Sequence, residues 1–120
     1  MAKTIKLKRV YEAPAASDGM RILVDRLWPR GIAKAKAKVD LWLKDIAPSD
    51  TLRKRFHGHP EDWDEFCKAY AAELTEAKEA VKALRDYLRK GAVTLLYAAR
   101  DEEHNNAVAL KQWLARRRGG

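Results

Sequence analysis

One cysteine in 120 residues, Cys67, leaves the chain without an internal disulfide, which fits a reducing cytoplasm. No apolar run approaches the ~18 residues of a membrane span, and the opening MAKTIKLKRV lacks a signal peptide's apolar segment. The expectation is a cytoplasmic protein with no membrane partner. There is no phosphate-cradling glycine loop, no dinucleotide glycine pattern and no nucleophile elbow, and no cofactor is expected. His57 and His59 in FHGHP are separated by one residue rather than by the i, i+4 step of a zinc hydrolase. No Cys/His set completes four ligands around them, so no metal is expected either.

What is present reads as globular: 47% hydrophobic and 35% charged residues, over a length that suits one domain, 1–120, with a frayed basic tail at 116–120. The net charge of +8 is unevenly placed. Residues 1–60 carry 14 Lys/Arg against 6 Asp/Glu, whereas residues 61–120 carry 11 of each. A basic half attracts phosphate esters, nucleic acid or acidic metabolites, or serves only as a solvated face.

TIKLKRVY (4–11) alternates apolar and basic residues and reads as a strand. After a loop with an Asp-Gly turn signal, Ile22, Leu23 and Val24 form the continuous apolar run of a strand covered on both faces, stopped by Pro29 and Gly31. Lys34, Lys36 and Lys38 fit either an edge strand or a loose helical turn, and VDLWL (39–43) a short strand. Ser49 or Asp50 caps a short helix through Phe56. From Trp63 to Leu88, apolar residues recur at steps of three or four, predicting one kinked helix or two abutting ones with Thr75 as a cap. Cys67 lies on that apolar face as a small core residue. Gly91 ends the helix, AVTLLYAA (92–99) is the clearest strand, and Asp101 caps a terminal helix reaching about Arg116. Helix, doubly apolar strand, helix implies an α/β domain of three layers, α/β/α, with a largely parallel central sheet.

In such sheets ligands gather outside the carboxyl ends of the strands, which singles out the loops after Val24 and Ala99. Arg26, Arg30 and Arg100 offer planar forks for a carboxylate or phosphate, Trp28 a flat wall, and Asn105 a polar contact at the helix start. Asp25, Asp101 and His104 are the candidates for proton transfer. The expected partner is an anionic small molecule or phosphate-bearing ligand. The competing structural reading pairs Asp25 with a neighbouring arginine and packs Trp28 in the core. A nucleic-acid module would instead use Lys34, Lys36, Lys38, Arg53, Lys54 and Arg55 on phosphates, although only Trp42 and Phe56 interleave them. A third reading places the tryptophans at a partner or dimer surface; monomer and homodimer both stay open.

The motifs DGMRILVDRLWPRG, WLKDIAPSDTLRKRF, FHGHPEDWDEF and GAVTLLYAARDEEHNNAVAL resemble, over nearly the whole chain, the YeaO-like family within domain-of-unknown-function group 488. That resemblance implies a small cytosolic protein of three-layer α/β fold and brings no established activity with it. More distant members of the group carry a Cys-His-Arg run after the last strand. This chain has AARDEEHNN there, so thiol chemistry does not carry over, and His104 stands near the position of their histidine.

Overall fold

A computed structural model describes residues 5–116; residues 117–120 of the predicted basic tail lie outside them, while Arg116 ends the last helix. Four strands, β1 (Ile5–Arg9), β2 (Met20–Leu23), β3 (Leu41–Trp42) and β4 (Val93–Tyr97), form a parallel sheet in the order β1-β4-β2-β3. The strands β2 and β4 are parallel neighbours, registered Met20↔Val93 through Leu23↔Leu96. All five residues of β4 are buried, as its doubly apolar sequence requires.

Strand alternation divides the core in two. Ile22, Val24, Val93, Leu95 and Tyr97 face the helices α2 (Asp50–Phe56), α3 (Trp63–Glu76), α4 (Lys78–Lys90) and α5 (Asn106–Arg116). Leu84, Leu95 and Leu110 have no exposed surface there, and burial of each contributes about 2 kcal/mol. Leu23 and Leu96 point the other way, onto Val10, Ala37, Trp28 and Trp42. The layer covering that face is thin: the chain from Trp28 to Trp42 and the single turn α1 (Lys34–Ala37). Of the two forms open to the Lys34–Lys38 stretch, the helical turn is the one adopted.

Two predicted caps move. The break between α3 and α4 falls at Ala77 rather than at Thr75, whose hydroxyl donates back to the Ala71 carbonyl within the helix. The terminal helix starts at Asn106 and not just after Asp101. Its first turn is capped by Asn105, whose Oδ1 accepts from the Val108 N–H at 3.0 Å. Asp101 instead accepts from the N–H groups of Glu103 and His104, closing a turn of its own. The Ser49 cap is as predicted, its hydroxyl accepting from the Leu52 N–H.

At the amino end of the sheet, Asp18 is 1% exposed and takes Lys8 (3.1 Å), the Arg21 guanidinium and the Ala15 N–H (3.0 Å). Burial opposes its charge, but these donors outweigh it and hold the carboxyl at a pKa of about 2. Arg21 also donates to the carbonyls of Ala37 and Lys38, so one buried guanidinium fastens the thin layer to the sheet.

Candidate functional site at the carboxyl edge

β2 ends at Leu23, and the chain delivers Asp25 beside the end of β4. The Asp25 carboxylate accepts the Ala98 N–H at 2.9 Å on one oxygen and Asn106 Nδ2 at 3.0 Å on the other. Asn106 also donates to the Val24 carbonyl at 2.8 Å. Burial is the largest influence on Asp25 and pushes its carboxyl above the ordinary range, against the pull of Asn106, Ala98 and the field of Arg53. Its partners are thus an amide and a backbone N–H, rather than the arginine of the structural alternative.

The arginines of the loop after β2, Arg26 and Arg30, diverge. Arg26 donates to the carbonyls of Ala47 and Pro48, both at 3.1 Å, on the helical face. There it lines a cleft of about 240 Å³ with Tyr70, Glu73 and Asp45. Tyr70, buried and donating to the Ile46 carbonyl at 2.6 Å, has its hydroxyl pKa raised by burial first and by Asp25 second. Arg30 is exposed, its carbonyl accepting from the Tyr11 hydroxyl at 2.8 Å beyond the end of β1. Trp28 packs into the thin layer, edge-on to Trp42 at 5.6 Å, with its indole N–H on the Ile32 carbonyl. Trp42 donates to the Asp25 carbonyl at 2.7 Å. Two indoles therefore set the backbone of the DRLWPRG loop.

On the second loop, Asp101 and His104 form their own pair at 3.0 Å, with both side chains exposed. The Glu103 N–H, then His104, lower the Asp101 carboxyl below its usual range. The His104 ring meets Trp63 edge-on at 5.2 Å, joining the loop to the start of α3. Arg100 is exposed, and Asn105 is buried as a cap, its amide also donating to the Asp101 carbonyl. Of the acid–base candidates, Asp101 and His104 are thus brought together, and Asp25 is held by a separate set of donors.

Sequence reasoning missed Asn106 and Tyr70 and placed Arg53 elsewhere. The Asn105–Asn106 dipeptide ahead of an apolar stripe is a helix-start signal that points to the first. Tyr70 reads only as one more apolar step of α3. The basic stretches of the nucleic-acid reading are exposed but separated: Lys34, Lys36 and Lys38 surround Ala37 on one face of the sheet, and Arg53, Lys54 and Arg55 flank Leu52 on the other. His59 Nδ1 meets Glu61 at 3.0 Å, and these two exposed groups cluster with the half-buried Asp62 on the turn begun by Pro60.

The parallel sheet and its carboxyl-edge cluster define a small α/β protein of the doubly covered type. A family model described as "Inactive DUF488-N3 subclade" matches residues 4–118, and the chain belongs to that family. It is 48% identical over 110 residues to the uncharacterized protein YeaO of Escherichia coli K12, across 92% of this chain and 96% of that protein. It is 41% identical over 110 residues to the uncharacterized proteins Mb3100c of Mycobacterium bovis and Rv3073c of Mycobacterium tuberculosis, across 92% of each chain. No solved structure matches it. Among the described residues no helix is long and apolar enough to cross a membrane.

Proposed function

We propose that this protein binds, without turning over, an anionic phosphate-bearing small molecule at the carboxyl edge of its sheet. The observation that carries the non-catalytic half of the reading is the engagement of Asp25. Both its oxygens accept designed donors, so it orients the edge rather than standing ready to exchange a proton. The family description "inactive" agrees with that role.

Two guanidinium groups serve as the clamp. Arg26 donates to the Ala47 and Pro48 carbonyls just ahead of α2, and Arg53 pairs with Asp50 in the first turn of that helix, so both are carried by the same corner of the edge. Arg53 is paired with Asp50 only at the surface, at 3.0 Å, where solvent screens the attraction. An incoming phosphate takes Arg53 at little cost, in the bidentate geometry that arginine favours. Arg100 supplies a further charge from the second loop, while Asp101 and His104 shape that loop's rim. Asn105 anchors it from below.

Titration with inorganic phosphate and with a nucleoside monophosphate, followed by amide chemical shifts, tests this reading. Saturable shifts at residues 25–26, 50–53 and 98–106 are expected, and Arg53→Ala, which removes only a surface pair, should weaken binding at least tenfold. Absence of shifts at ligand concentrations well above ~1 mM, or hydrolysis of the ester by the protein, would refute it.

A further inference from the structure

A second concavity lies between α3, α4 and the end of α5, and shares only the buried Leu74 with the cleft at Arg26. It is a groove of about 980 Å³. Lys78, Lys82, Arg85 and Arg89 form one wall, with Arg116 at the end of α5; among the described residues lining the groove, none is acidic. The four α4 residues follow i, i+4, i+7, i+11 spacing, a single row of roughly 16 Å along the helix. Leu74, Val81 and Trp113 lie beneath.

The row has not been neutralised by the fold. Lys82 and Arg89 share one carboxylate, Asp86, at 3.2 and 3.0 Å, and all three side chains are substantially exposed. Such pairs are worth about 0–1 kcal/mol, so a partner's carboxylates can replace Asp86. Charge repulsion along a bare cationic row also falls when acidic groups arrive.

We propose that this groove docks an acidic amphipathic helix of a partner protein. Its apolar stripe settles on the half-buried Trp113 and the aliphatic stems of the basic row, above the buried Leu74 and Val81, and its carboxylates meet the α4 row. The shape of the surroundings chooses this occupant. A single nucleic-acid strand needs successive stacking platforms, and the groove has one indole, whose ring already lies near the Arg85 guanidinium at 5.9 Å. A helix laid in a groove uses both the aliphatic floor and the cationic wall.

The test uses a fluorescently labelled synthetic helix of Glu and Leu, with leucines at i, i+3, i+4 and i+7, and a control peptide of the same composition with its leucines scrambled. The patterned peptide should bind the full chain and shift α4 and Trp113 resonances. Lys82→Gln combined with Arg89→Gln, with unchanged circular dichroism, should weaken it at least tenfold, and Lys82→Glu with Arg89→Glu should do so more strongly. The proposal is overturned if the scrambled peptide binds equally well, or if a single-stranded oligonucleotide of equal charge displaces the patterned one. It is equally overturned if the shifts fall at the carboxyl edge, or if no binding occurs at ~1 mM peptide.

Discussion

The Asn106 side-chain amide donates to the Asp25 carboxylate at 3.0 Å and to the Val24 carbonyl at 2.8 Å, tying the first turn of the last helix to the end of a strand 81 residues earlier. That amide adds to the Ala98 N–H bond on the same carboxylate in holding the two halves of the carboxyl edge together.

Asn106→Ala should therefore destabilise the protein by about 1–3 kcal/mol, since it strips a partly buried carboxylate and a carbonyl of a donor. Burial already raises the Asp25 carboxyl and the Asn106 amide counters it, so its pKa should climb further in the variant. Chemical denaturation measures the first effect and a carbon-detected carboxyl titration the second. An Asp25 pKa that stays put or falls would count against the bond.

Acid stability follows from Asp18 with the opposite sign. Its folded pKa of about 2 lies below the ordinary 3.8, so its contribution is fully present above pH 3.8 and is lost as pH falls towards 2. Asp25 has a raised folded pKa, so what it contributes is present below 3.8 and fades as pH rises through the folded value. Denaturation midpoints across pH 2–5 should fall steeply at the acid end in the parent protein, and Asp18→Asn should flatten that slope, lowering stability most above pH 3.8 and least near pH 2.

Gly19→Ala should be among the most damaging small substitutions. The backbone there has φ +66° and ψ −138°, a region reserved for glycine, and an added Cβ would lie 2.3 Å from the Ala92 carbonyl oxygen. A loss of more than about 2 kcal/mol is expected from strain and overlap together, read from thermal or urea unfolding. A change under half that size would mean the β2 entry can move aside.

Ser49→Ala removes two contacts at once. The hydroxyl accepts from the Leu52 N–H at 3.1 Å and donates to the Glu73 carboxylate at 2.6 Å, while the Ser49 N–H donates to the same carboxylate at 2.8 Å. The cap alone is worth about 0.5–2 kcal/mol. Hydrogen exchange in α2 should accelerate more than exchange in α4, since only α2 loses its cap. Uniform acceleration would indicate a global effect instead.

Much of the scaffold was legible because periodicity is a local property. The apolar steps from Trp63 to Leu88 specify helices, and the doubly apolar runs at Ile22–Val24 and Val93–Tyr97 specify buried parallel strands. The caps at Thr75 and Asp101 were misplaced because each side chain has a competing local use, a bond back to Ala71 and a turn closed on Glu103 and His104. The pairing of Asp25 with Asn106 and the convergence of Lys8 and Arg21 on Asp18 are long-range or packing-dependent choices. A sequence presents the available donors there, but only the assembled sheet decides which of them is nearest.

The strand order carries a consequence for synthesis. β4 sits between β1 and β2, which have no pairing with each other, and the register Ile5↔Val93 spans most of the chain. During translation only the two-residue ladder of β2 with β3 can form early. The rest of the sheet must wait until Tyr97 leaves the ribosome, and then closes from both sides onto a single incoming strand. The nascent chain thus carries β1 unpaired and β2 with one open edge until β4 emerges, and the lysines that alternate along β1 are the charges that discourage edge pairing of the outer strand.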